Sequence, residues 1–94
     1  MIFGRFPFVD SPDTAVITCH HVLEGSPILR VTHDADNGMW QFLCSHSHET
    51  DEARVISLRE ALTLDASLRR IARMPCGCIA VRSDAKARWI MSPQ

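Results

Sequence analysis

Ile28-Leu-Arg-Val-Thr-His33, Asp34-Ala-Asp-Asn-Gly38 and Met39-Trp-Gln-Phe-Leu-Cys44 follow one another without a break, and their reading decides the fold. Asn37-Gly38 between two strand-like runs is the signature of a two-residue type I′ turn, in which both central residues take positive φ. With those two as the loop, Asp36 opposes Met39. Counting back, Ala35 opposes Trp40, His33 opposes Phe42 and Val31 opposes Cys44. Opposed residues share a face of the sheet. Leu29, Val31, His33, Trp40, Phe42 and Cys44 therefore line one side. Arg30, Thr32, Asp34, Asp36 and Gln41, mixed with Ile28, Met39 and Leu43, line the other. One face is the more apolar and should be the inner one. A loop longer by one residue would invert that assignment.

Upstream, Ala15-Val-Ile-Thr-Cys19 is rich in β-branched residues and reads as a strand, and His20 to Gly25 reads as a turn or bend. Downstream, Ser45 to Glu52 is polar and reads as a loop. Arg54 to Ser57 is a short strand running into a helix. Ser57 with Glu60 three residues on forms a capping box, and Leu58, Ala61 and Leu62 fall on one helical face. Asp65 is a second cap, followed by Leu68, Ile71 and Ala72 at helical spacing, with Arg69, Arg70 and Arg73 turned outward. Met74-Pro75 ends that helix, because the residue before proline is pushed out of the helical region. Cys78 to Arg82 and Ala87 to Met91 complete a second hairpin, with Trp89 expected in the core. Strands dominate and helices are grouped. The expected fold is α+β, a largely antiparallel sheet of five or six short strands with two short helices before the C-terminal hairpin.

At 94 residues and 10.6 kDa the chain holds one core, so residues 1–94 form a single domain and a large two-domain enzyme is excluded. Apolar residues make up 46%, charged residues 22% and net charge is −1, which is globular and not disordered composition. No internal repeat or low-complexity tract divides it. Pro7, Asp10, Pro12 and Asp13 interrupt any apolar run in the first fourteen residues, and no stretch has the length of a membrane span. A cytoplasmic location is expected, with the four cysteines as thiols or metal ligands and not as a disulfide framework.

Charge is unevenly spread. Residues 1–52 carry two arginines against eight acids, and residues 53–94 carry eight basic residues against three acids. The acidic set Asp34, Asp36, Glu49, Asp51 and Glu52 is the candidate face for a protein partner. Arg59, Arg69, Arg70 and Arg73 could meet phosphate. A single lysine, no interleaved aromatics and a pI near 6.5 argue against a nucleic-acid binder.

Cysteine and histidine supply the alternative chemistry. Cys44, His46 and His48 alternate, and with Cys76 or Cys78 they offer zinc its preferred thiolate and imidazole donors. In the register above His33 lies diagonally near Cys44, and Cys19-His20-His21 adds further donors. No pair has zinc-finger spacing, so Cys19, Cys44 and Cys78 also read as small core hydrophobes. Cys76-Gly77-Cys78 follows a proline and enters a strand, unlike a thioredoxin-type pair at a helix start. Cys19 and His20 point to opposite faces of a strand, which separates a thiol from its base. GxSxG, P-loop and GxGxxG motifs are absent, and no enzyme activity is expected.

His33-Asp-Ala-Asp-Asn-Gly-Met-Trp-Gln-Phe-Leu43, with Arg54-Val-Ile-Ser-Leu58 after it, resembles small bacterial proteins of the domains of unknown function that include predicted immunity proteins of toxin systems. The shared feature is an acidic-then-glycine turn entering a Trp-x-Phe strand, followed by a polar acidic loop. The resemblance implies a partner-binding α+β domain, an immunity-type or accessory module, and carries over no catalytic residue to this sequence.

Overall fold

A computed structural model describes residues 5–44 and 53–94. Six strands, β1 (Ala15–Cys19), β2 (Arg30–His33), β3 (Trp40–Leu43), β4 (Ala53–Ser57), β5 (Cys78–Val81) and β6 (Ile90–Pro93), form one sheet in the order β4-β1-β3-β2-β5-β6. Four of the neighbouring pairs are antiparallel, and β1 and β3 are parallel. The fold is α+β, as composition and pattern predict. The parallel pair arises because the β1–β2 connection leaves a lane open, into which the hairpin folds β3.

That hairpin keeps its expected faces with a different turn. Val31 pairs with Phe42 and His33 with Trp40, a register two residues away from the two-residue-loop reading. Asp34 N–H donates to Met39 O at 2.9 Å and Gly38 N–H to Asp34 O at 2.9 Å, so Ala35 to Gly38 form a four-residue loop. Within this loop only Gly38 has positive φ, +71°, and Asn37 does not. The Asn37 side chain is bonded instead to Met39 N–H at 2.8 Å, and Asp34 Oδ1 accepts from Asp36 N–H at 2.7 Å. These local bonds stabilise the wider loop. Because the loop grew by two residues, the side-chain parity survives. Val31, Trp40, Phe42 and Cys44 are all buried. A Cβ at Gly38 would meet nothing within 4 Å. Gly38→Ala should therefore cost about 1–2 kcal/mol from backbone conformation alone, read as a lower urea midpoint at unchanged slope.

On the inner face Val16, Thr18, Val31, Phe42 and Ala80 meet Leu58, Ala61, Leu68 and Ile71 from the helical layer, all with no measurable exposure. The first of these helices, α2 (Leu58–Leu64), begins at the expected capping box: Ser57 Oγ accepts from Glu60 N–H and Glu60 Oε1 from Ser57 N–H, both at 3.0 Å. Asp65 is extended and caps the next segment through Ser67 N–H at 2.9 Å. That segment, Ala66–Ile71, is a 3₁₀ helix and not a second α-helix, a form suited to six residues. Residues 20–25 contain one helical turn, α1 (His20–Leu23), where a bend is predicted. The last strand lies later than predicted, so Trp89 is in the core but just ahead of β6. The aromatic cluster gains an upstream member: Phe8 meets Trp40 edge-on at 5.1 Å.

Candidate metal centre

Parallel pairing of β1 with β3 brings the ends of both strands together. Thr18 is opposite Phe42, and its hydroxyl donates to Phe42 O at 2.6 Å. One residue beyond, Cys19 is the last residue of β1, and Cys44 follows the end of β3. Their Sγ atoms are 3.7 Å apart, and both side chains are buried. The backbone leaves the extended conformation after Cys19 and enters α1. That turn carries His21 back over the sulfurs, with Nδ1 at 4.0 Å from Cys44 Sγ. The three donor atoms lie within 4.8 Å of one another.

These separations can be weighed against a zinc tetrahedron. Bond lengths of about 2.3 Å to sulfur and about 2.0–2.1 Å to nitrogen imply edges of roughly 3.7–3.8 Å between sulfurs and roughly 3.5–3.6 Å between sulfur and nitrogen. The sulfur edge matches at 3.7 Å, the observed 4.0 Å from Cys44 to nitrogen needs a shift of under about half an ångström, and the Cys19–His21 edge, within 4.8 Å, needs one of up to about 1.3 Å. Two buried thiols in contact would also suit an ordinary apolar core. What distinguishes this group from an apolar pair of thiols is its third donor, a half-buried imidazole with a ring nitrogen 4.0 Å from one of the sulfurs.

The neighbouring His20 has a separate partner. Its Nδ1 is 2.7 Å from Glu24 Oε2, and its ring is 4.1 Å from that of His21. The hydrogen bond from His20 holds the Glu24 carboxyl below its ordinary range, with the imidazole charge adding to the effect. This exposed pair supports α1 above the carboxyl's ordinary pKa, and that support fades as pH falls through the lowered one.

The sequence candidates are redistributed. Cys44 is in the group. His46, His48, Glu49, Asp51 and Glu52 lie outside the described residues. Cys76 and Cys78 lie at the other end of β2, where Cys78 pairs with His33, and they do not join Cys44. The three-residue length from Arg30, opposite Leu43, to His33 puts roughly 10 Å of strand between the two ends. The two-residue register change removes His33 from Cys44 for the same reason. Of the acidic pair, Asp36 is exposed, while Asp34 is half-buried and bonded into the turn. Cys19 and His21 are the residues that strand alternation passed over, since it ceases to apply where β1 ends. A depression of about 460 Å³ beside Val22, Pro27 and Leu64 contains no cysteine or histidine. No described helix is long and apolar enough to cross a membrane. No family profile, curated protein or solved structure matches the chain.

Proposed function

We propose that this chain is a metal-binding α+β domain that takes zinc through Cys19, His21 and Cys44. The observation that carries the reading is the 3.7 Å separation of two buried sulfurs with an imidazole nitrogen 4.0 Å from one of them. Thiolate with imidazole is the donor set zinc takes in structural sites. The ion would tie the end of β1, the first turn of α1 and the end of β3 at one point. A partner-binding role for the acidic residues has less behind it, because the turn already accounts for the Asp34 carboxylate.

Protein purified without chelator should contain about one equivalent of zinc by elemental analysis, and less than about 0.2 equivalents ends the proposal. Cobalt in place of zinc should give thiolate-to-metal absorption and the visible bands of a tetrahedral ion. Cys44→Ser should weaken both signals, and Cys78→Ser should leave them intact.

A further inference from the structure

At the far end of β2 from the cysteine–histidine group, Cys76 and His33 form a second pair. Cys76 is exposed, and its Sγ is 3.5 Å from His33 Nε2. His33 Nδ1 is 2.8 Å from Met74 O. A carbonyl oxygen can only accept, so Nδ1 carries the ring proton and a neutral ring presents the Nε2 lone pair to the thiol. The ring lies flat on buried Trp40, centroids 3.8 Å apart and planes 15° from parallel. The backbone next to the thiol is held too. Gly77, at φ +85°, donates its N–H to His33 O at 2.7 Å, and its carbonyl accepts from Gln94 N–H at 2.7 Å. A nucleophile, a base in reach and a third group that orients the base are the parts of an activated thiol.

We infer that Cys76 is a nucleophilic thiol, with His33 as its proton acceptor, that undergoes exchange with low-molecular-weight disulfides of the glutathione class. Cys76 Sγ attacks one sulfur of the disulfide. A new sulfur–sulfur bond forms to Cys76 as the old one breaks. The thiol proton passes to His33 Nε2 and then to the departing thiolate, which leaves as a free thiol. Cys76 is oxidised and one half of the small disulfide is reduced, so no other oxidant is needed. After the transfer the imidazolium keeps both N–H groups engaged, one on Met74 O and one facing sulfur, over the electron-rich face of Trp40. Cys19 and Cys44 are buried and Cys78 is half-buried, which leaves Cys76 as the accessible thiol among the four.

The folded chain as purified, with no metal added, is incubated with glutathione disulfide at neutral pH, and adducts are timed and mapped by mass spectrometry. One adduct at Cys76 is expected, forming about tenfold faster than at the same residue in the urea-unfolded chain at matched pH. Cys76→Ser should abolish it. His33→Gln, shown to be folded by near-ultraviolet circular dichroism, should slow it about tenfold. An adduct at Cys78 instead overturns the inference, and so does a folded His33→Gln that reacts at the wild-type rate. If that variant fails to fold, the folded-to-unfolded ratio in the wild type decides alone, and a ratio near one overturns it.

Discussion

Arg82→Met should cost about 3–5 kcal/mol of stability, the largest loss expected from one surface-type residue in this chain. The Arg82 side chain is 1% exposed. Its Nε donates to Ile28 O at 3.0 Å, and its Nη1 to Ser67 Oγ at 3.0 Å and Ala85 O at 3.1 Å. Its Nη2 pairs with the Asp65 carboxylate, and the guanidinium lies 4.2 Å over the Trp89 ring. Trp89 Nε1 donates to the same Ser67 hydroxyl at 3.1 Å. One side chain thus joins the approach to β2, the 3₁₀ segment and the stretch before β6. Methionine fills much of the volume, so the loss measures electrostatics more than a cavity. It leaves Asp65 without its cation and Ile28 O with an unfilled lone pair. Against a total of about 5–15 kcal/mol this is roughly a fifth or more, and the melting temperature should fall by roughly 12–40 °C. Asp65→Asn combined with Arg82→Met should lose about 0.5–3 kcal/mol less than the two singles added together. A single-mutant cost under about 1 kcal/mol would show that the pair is solvated and its burial unimportant.

Nothing local marks Arg82 for that role. It ends a strand-like run in the basic half of the chain, where an arginine reads as a solvated charge. Asp65 is legible as a helix cap and Trp89 as a core aromatic, and both readings agree with the structure. Their joint use by one guanidinium depends on β5 pairing with β2, a contact between segments more than forty residues apart. The inner face of the β2–β3 hairpin was legible for a simpler reason. A period of two tolerates an error of two residues in loop length, so Trp40 and Phe42 are buried under either register. What fails under that error is any inference that depends on opposed partners. His33 beside Cys44 was such an inference, and its place is taken by His33 beside Cys76.

The candidate metal group shows the same division. Cys44 stood out as a donor ending an aromatic strand. Cys19 and His21 were visible as donors, but no local rule joins them to Cys44. Adjacent residues on a strand point apart, and this separates Cys19 from its neighbours only while the strand continues. α1 begins at His20, and its helical geometry delivers His21 to the sulfurs. Parallel β1–β3 pairing then supplies the second strand end. Both facts are topological: one is where a strand stops, the other is which lane a hairpin enters.

If zinc is held at that point, its removal should unfold the domain at a much lower temperature. A ligand bound only by the native state stabilises by RT ln(1 + [L]/Kd), about 4.1 kcal/mol when free zinc is a thousand times Kd. At roughly 4–8 °C per kcal/mol for a chain of this size, chelation should lower the melting temperature by roughly 15–35 °C. The shift between zinc-saturated and chelated protein is the informative quantity, since it subtracts whatever a substitution does to packing. Cys19→Ser and Cys44→Ser each put a hydroxyl into a buried site and should lower stability with or without metal. Only a ligand role predicts that they also collapse the zinc-dependent shift. His21→Ala, at a half-buried position, should do so at little cost to the apo protein. The sign with pH follows from the donors: thiolate and neutral imidazole bind zinc only after losing their protons. Lowering pH should therefore shrink the zinc-dependent shift while the apo melting temperature moves less. A shift that persists undiminished in Cys19→Ser and Cys44→Ser would place the ion elsewhere, and the two sulfurs would then be core atoms in van der Waals contact.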